Sequence, residues 1–112
     1  MYWQSMYWYN KIMVFKFKYD VRFDSNKSTL LKETRGMSFE DLLDLVYDGK
    51  VLDNIKHNNL KKHPNQNILI IKTTGYIYAM PYVIDDKKKM IFLKTAYPSH
   101  NLTKKYAKNN TR

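Results

Sequence analysis

Three histidines and a group of lysines in the second half of the chain are the side chains best suited to acid–base chemistry. His57 closes a predicted strand, and the polar loop that follows it contains Lys61, Lys62 and His63. His100 follows the last predicted strand. A histidine with a pKa of about 6.5 can serve as acid or base near neutral pH. The histidine spacing does not match a metal-binding motif, and each histidine, taken alone, is also typical of an exposed loop.

Cleavage of RNA without a metal needs such a set of groups. A base takes the proton of the 2′-hydroxyl, cations stabilise the charge that develops on the phosphate, and an acid protonates the 5′-oxygen. We assign the phosphate contacts to Lys62 and Lys94 and the acid–base role to His63. Tyr97 either stacks on a base or donates a proton. In the predicted sheet, Lys94 and the loop of His63 approach across one face, and no cofactor or metal is expected.

The carboxyl-terminal part of the chain is basic and carries aromatic residues among its cations. The chain has 20 Lys and Arg against 10 Asp and Glu, a formal charge of +10, and no acidic residue follows Asp86. This pattern favours phosphate contacts combined with base stacking. The residues predicted to contact RNA, in addition to the catalytic set, are Lys61, Ser99, His100, Lys104, Lys105 and Tyr106. A solvated lysine-rich terminus and a composition biased by an AT-rich genome are the alternatives.

Length and composition indicate one folded domain. The 112 residues, 44% of them hydrophobic, suffice for a single core. The chain contains no cysteine, which fits a cytoplasmic protein, and it has neither a membrane-spanning run nor a signal-peptide pattern. Residues 1–12 form an aromatic amino-terminal arm, and residues 13–112 form the domain. The arm is either an extension that packs on a partner or a sheet edge, or the product of an upstream start codon.

The hydrophobic pattern predicts an α+β fold in the order β-α-α-β-β-β-β-α. Alternation over 14–23 predicts a first strand. A first helix is predicted over 27–35, with Asp24 or Ser25 as its N-cap and Gly36 as its end. A second helix is predicted from Ser38, which forms a loose capping box with Asp41, to Gly49.

Further strands are predicted over 51–57, 68–71, 76–83 and 90–96. The strand over 68–71 is expected to be buried on both faces, and Pro81 indicates an edge or a bulge. The chain then breaks at 97–99, and a last helix starts near Asn101. Short turns between consecutive strands predict an antiparallel sheet of about four to five strands.

The segment 17–106 resembles the BrnT-like toxins of bacterial type II toxin–antitoxin systems. The resemblance lies in FKYD at 17–20, RGMSFED at 35–41 and IFLKTAYPS at 91–99, followed by LTKKY at 102–106. Arg35 stands where the family has a histidine, and the family's closing arginine is replaced around 97–99. The resemblance implies a RelE-like fold, ribonuclease toxicity and neutralisation by a small DNA-binding antitoxin.

The sequence therefore predicts an endoribonuclease toxin that acts on free or ribosome-bound RNA without a metal. A cognate antitoxin would inhibit it, no membrane is involved, and oligomers would form only through the antitoxin or the amino-terminal arm. One alternative is a basic nucleic-acid-binding or regulatory protein on the same scaffold without catalysis. Another is a structural or interaction protein whose contact element is the arm.

Overall fold

Three helices and six strands make up the part of the protein that the computed structural model describes, which is residues 18–56 and 66–109, without the side chains of 107–109. The strands are β1 (Asp20–Arg22), β2 (Val51–Lys56), β3 (Gln66–Lys72), β4 (Ile77–Asp85), β5 (Met90–Leu93) and β6 (Tyr97–Ser99). The helices are α1 (Ser25–Arg35), α2 (Phe39–Tyr47) and α3 (His100–Asn109). The predicted α+β class is confirmed. The arm, and the beginning of the strand predicted over 14–23, lie outside the described residues.

Side-chain caps define the limits of α1. The Asp24 carboxylate accepts hydrogen bonds from the backbone N–H groups of Asn26 (2.8 Å) and Lys27 (3.2 Å), so the helix begins two residues before the predicted start. Gly36 ends it as predicted, in the left-handed conformation with φ of 89°, and its N–H donates to the Lys32 carbonyl.

A complete capping box begins α2, as the sequence predicts. The Ser38 hydroxyl accepts from the N–H of Asp41, and the Asp41 carboxylate accepts from the N–H of Ser38, both at 3.1 Å. The apolar side of this helix, which includes Phe39, Leu42 and Val46, is fully buried. The helix therefore packs its apolar face on the sheet, and this burial is its main stabilising interaction.

The sheet has the order β1-β5-β4-β3-β2, and β6 also pairs with β4. Strands β2 to β5 form the antiparallel meander that the short turns predict. The expectation of a wholly antiparallel sheet of four to five strands is wrong, because β1 pairs with β5 in parallel and β6 adds a sixth strand. Between β1 and β2, helices α1 and α2 carry the chain from one sheet edge to the other, so β1 meets a distant strand and no tight turn sets its direction.

The two faces of the sheet are covered by different helices. On the inner face, α1 and α2 pack against a cluster that includes Leu69, Met80 and Ile91. On the outer face, Leu102 and Tyr106 of α3 pack against a smaller cluster of Ile70, Ile77 and Ala79. This arrangement explains why the middle of the sheet is apolar on both faces, as predicted for 68–71.

Candidate nucleic-acid interface

A one-residue bulge separates β5 from β6. In β5, Leu93 lies opposite Tyr82, and the N–H of Lys94 still donates to the Pro81 carbonyl at 2.9 Å. If the β5 register continued, Ala96 would lie opposite Ala79, but in β6 Tyr97 occupies that position, so the pairing has shifted by one residue. Proline has no N–H to return the hydrogen bond to Lys94, so the ladder is interrupted there. The strand predicted over 90–96 therefore ends at Leu93, and 97–99 resumes the sheet where a chain break was predicted.

The bulge brings three side chains into one row on the outer face. Every second residue of β4 lies on the same face of the sheet. On this face, Phe92 lies opposite Val83, Lys94 opposite Pro81, and Tyr97 opposite Ala79. Since Ala79 belongs to the outer cluster, the row is on the same face as α3. Phe92 and Tyr97 each remain 37% exposed, and Lys94 is also exposed. The row therefore presents a cation between two aromatic rings.

Arg35 holds the bulge from the inner side. Its Nη1 donates to the Ala96 carbonyl at 2.5 Å, and its own carbonyl accepts from the Tyr78 hydroxyl at 2.5 Å. Ala96 is buried in the inner core, which fixes the residue that precedes Tyr97. The sequence by itself indicated no role for Arg35 in the site. Its signals were its position before the helix-ending Gly36 and its place where the resembled toxins have a histidine, and neither reveals a partner 61 residues away.

Ser99 and His100 form the start of α3. The Ser99 hydroxyl accepts from the Leu102 N–H at 3.2 Å, and the Ser99 carbonyl accepts from the Thr103 hydroxyl at 2.6 Å. The Thr103 hydroxyl also accepts from the N–H of Ile77, which ties the helix to β4. The structure therefore gives Ser99 a capping role, whereas His100 is exposed at the first helical position.

The predicted RNA contacts on α3 fall into two groups. Lys104 and Lys105 are exposed, and the Lys105 Nζ lies 5.8 Å from the ring centroid of Tyr106. Tyr106 is half-buried against the outer cluster. Burial, with a smaller contribution from the charge of Asp53, raises the pKa of Tyr106. Tyr106 therefore serves mainly as a packing residue, and the lysines remain accessible.

His57, Lys61, Lys62 and His63 lie outside the described residues, so their relation to Lys94 stays a prediction. The nearest described residue after their loop is Gln66, which lies opposite Val83, and Val83 lies opposite Phe92. Two strand spacings, about 10 Å, therefore separate the backbone of Gln66 from that of Phe92.

The charges around the row are unevenly placed. Arg22 of β1 lies beside Phe92 in the register, and its Nη2 is 2.6 Å from the Asp20 carboxylate. Asp85 lies opposite Met90, so both acidic groups are near the Met90 end, together with the exposed lysines of the β4–β5 turn, Lys87, Lys88 and Lys89. At the other end, beyond Tyr97, α3 exposes His100, Lys104 and Lys105 and the uncharged Asn101.

A pocket of about 390 Å³ lies on the inner-face side of the sheet, where the β3–β4 turn meets α2 and the loop before it. Its lining includes Met37, Leu45, Tyr76 and Tyr78. Among the described residues, no group of His, Asp and Glu side chains is arranged to hold a metal ion. No helix in that same part of the chain combines the length and the apolar composition needed to cross a membrane.

The chain was compared with known protein families, curated proteins and solved structures, and none of the three comparisons returned a match.

Proposed function

We propose that this protein is an endoribonuclease toxin of a type II toxin–antitoxin system, as the BrnT-like resemblance implies. The observation that carries the proposal is the bulge after Lys94, which puts Lys94 and Tyr97 on one exposed face directly before His100. A cation beside an exposed tyrosine is a suitable arrangement for a phosphodiester and its base.

The proposed chemistry is metal-independent cleavage at the 2′-hydroxyl. Lys94 and Lys62 neutralise the phosphate, His63 exchanges the proton, and Tyr97 orients the base or protonates the leaving oxygen. His100, Lys104 and Lys105 extend the cationic surface along the bound strand. The fold would be a RelE-like arrangement of helices on a meander sheet.

A small DNA-binding antitoxin would neutralise the toxin by covering the same surface. An acidic segment of the antitoxin could contact the lysines that otherwise bind phosphates, so RNA and antitoxin would compete. The formal charge of +10 supports such a partner, because an acidic antitoxin would relieve the self-repulsion of the free protein.

Induced expression in bacteria tests the proposal. The wild type should arrest growth and cut cellular RNA, and purified protein should cut RNA in the presence of EDTA. Lys94→Ala should reduce the cleavage rate by a factor of about 100 or more, since electrostatic stabilisation of the transition state is lost. Comparison of His63→Ala with His100→Ala identifies the acid–base residue. Normal growth and intact RNA at high wild-type levels would contradict the nuclease assignment.

A non-catalytic RNA-binding protein is the second candidate. One observation favours it: Arg35 stands where the resembled toxins have a histidine, and its guanidinium is bound to the Ala96 carbonyl and offers no acid–base group. This candidate predicts that the protein binds RNA and leaves it whole, and that induced expression does not arrest growth.

A further inference from the structure

We propose that the row of Phe92, Lys94 and Tyr97 is a stacking site for an unpaired RNA strand, with one base on each ring and a phosphate at Lys94. This inference rests on the proposed function, because it specifies the form of RNA that the same surface takes. Phe92 is the new residue in the site, since the sequence alone gives it no role beyond the last strand.

The spacing of the row comes from β4. Its positions opposite Phe92, Lys94 and Tyr97 are two residues apart, so neighbouring backbone positions in the row are separated by about 7 Å. The two aromatic residues are therefore about 14 Å apart along the strand, with the cation between them. At this separation, two bases of an extended strand can stack on the two rings while the sugar–phosphate backbone between them passes over Lys94.

The surface beside the row, formed by strands β3 and β2, is apolar. Ile68 lies opposite Pro81, and Ile55 lies opposite Ile68 with 38% of its surface exposed. Bases taken out of a helical stack are best accommodated on such a surface, since each has two apolar faces to cover. The bases of a duplex already stack on each other, so a duplex can offer this row only its phosphates.

Cations lie beyond both ends of the row. At the Phe92 end, Arg22 is paired with Asp20, and the exposed lysines of the β4–β5 turn directly follow Asp85 and Asp86 in the chain. Beyond Tyr97, Lys104 and Lys105 of α3 are exposed. A strand that stacks on Phe92 and Tyr97 can therefore continue toward Lys104 and Lys105, where its phosphates meet positive charge.

Binding of a labelled 2′-O-methyl oligoribonucleotide to the full-length protein tests the inference, because this probe lacks the 2′-hydroxyl and cannot be cut. In fluorescence anisotropy, the single strand should bind at least about ten-fold more tightly than a duplex of the same sequence. Phe92→Ala and Tyr97→Ala should each weaken binding of the single strand about ten-fold and leave duplex binding nearly unchanged. Tyr97→Phe keeps the ring and should bind like the wild type.

Tyr76→Ala is the matched control, because Tyr76 is 51% exposed but lines the pocket on the inner-face side of the sheet, with Met37 and Leu45. Circular dichroism verifies that each variant is folded. Equal affinity for single strand and duplex, no measurable binding of the single strand, or alanine variants that bind like Tyr76→Ala would overturn the inference. If the probe binds as expected while cellular RNA stays intact, the stacking site stands and the nuclease assignment fails.

Discussion

Arg35 shows how one side chain can shape a site that it does not enter. Its guanidinium reaches from the end of α1 to the Ala96 carbonyl, inside the bulge that separates Lys94 from Tyr97. Residue type and charge point to Lys94 and Tyr97 in the sequence, and the structure places both on the exposed face. The sequence does not point to Arg35 or Phe92, because their roles depend on the distant residues that the fold places beside them.

Removal of the Arg35 side chain should loosen the bulge. We expect Arg35→Ala to lower the free energy of unfolding by about 1 kcal/mol, the net value of a partly exposed hydrogen bond from a charged group. Urea denaturation measures the change. Arg22→Ala is the control, because it loses only an exposed ion pair with Asp20 and should change stability by less than about 0.5 kcal/mol. Equal losses in the two variants would show that Arg35 does not hold the bulge.

At the scale of elements, the ends of the helices and the hairpins follow local sequence closely. Asp24, Gly36, Ser38 and Asp41 occupy the cap positions that their chemistry predicts, since caps are satisfied by neighbours in the chain. The bulge also follows in part from local sequence, because Pro81 predicts an interruption of the strand pairing. Pro81 lies opposite Lys94, where β5 leaves the ladder.

Two glycines provide a direct test of backbone conformation. Gly36 has φ of 89°, and a Cβ at this position would meet the Tyr78 Oη at 3.9 Å, an ordinary contact. The cost of Gly36→Ala should therefore come from the left-handed backbone alone, about 1 kcal/mol of unfolding free energy. Gly75 has no positive φ and open space around it, so Gly75→Ala should be nearly neutral in the same thermal or urea denaturation. A neutral Gly36→Ala would contradict the role of this residue as the helix end.

The start of α2 should make stability depend on pH. The Lys32 ammonium, which lies 2.9 Å from the carboxylate, and the Ser38 N–H lower the pKa of Asp41, and the Ser28 hydroxyl lowers the pKa of Glu40. A folded pKa below the unfolded value contributes stability above about pH 4, and this contribution is lost as the pH falls through the folded pKa. Urea midpoints at pH 7 and pH 3 should therefore differ less for Asp41→Asn than for the wild type.

Glu33→Gln is the control for this pH dependence, because Glu33 is an exposed carboxylate of α1. It should retain the pH dependence of the wild type. If Asp41→Asn shows the same change between pH 7 and pH 3 as Glu33→Gln, the capping box is not the source of the effect.

The whole molecule is a basic protein whose sheet carries different surfaces on its two faces. Helices α1 and α2 cover the inner face, while α3 covers only part of the outer face and leaves Phe92, Lys94 and Tyr97 exposed. The exposed lysines of α3 belong to the same side as this row, so the cations of the carboxyl-terminal part of the chain can act on one bound strand.

Binding of RNA should therefore weaken steeply with salt. The logarithm of the affinity for a single strand should fall linearly with the logarithm of the salt concentration, with a slope of about −0.7 for each phosphate neutralised. Lys94→Gln should reduce the magnitude of the slope by about 0.7, whereas Lys27→Gln, on the exposed start of α1, should leave it unchanged. Anisotropy titrations between low and physiological salt provide the measurement, and a slope unaffected by Lys94→Gln would exclude its phosphate contact.

The sequence alone determined the α+β class, the helix caps, the antiparallel meander and the basic, aromatic character of the segment from Lys94 to Tyr106. These properties depend on the residues themselves and on neighbours a few positions away. Only the tertiary structure decided that β1 runs parallel to β5, that the chain re-enters the sheet as β6, and that Phe92 joins the row. Those features arise from pairing between distant segments, where one added residue changes the register and the neighbour of every side chain that follows.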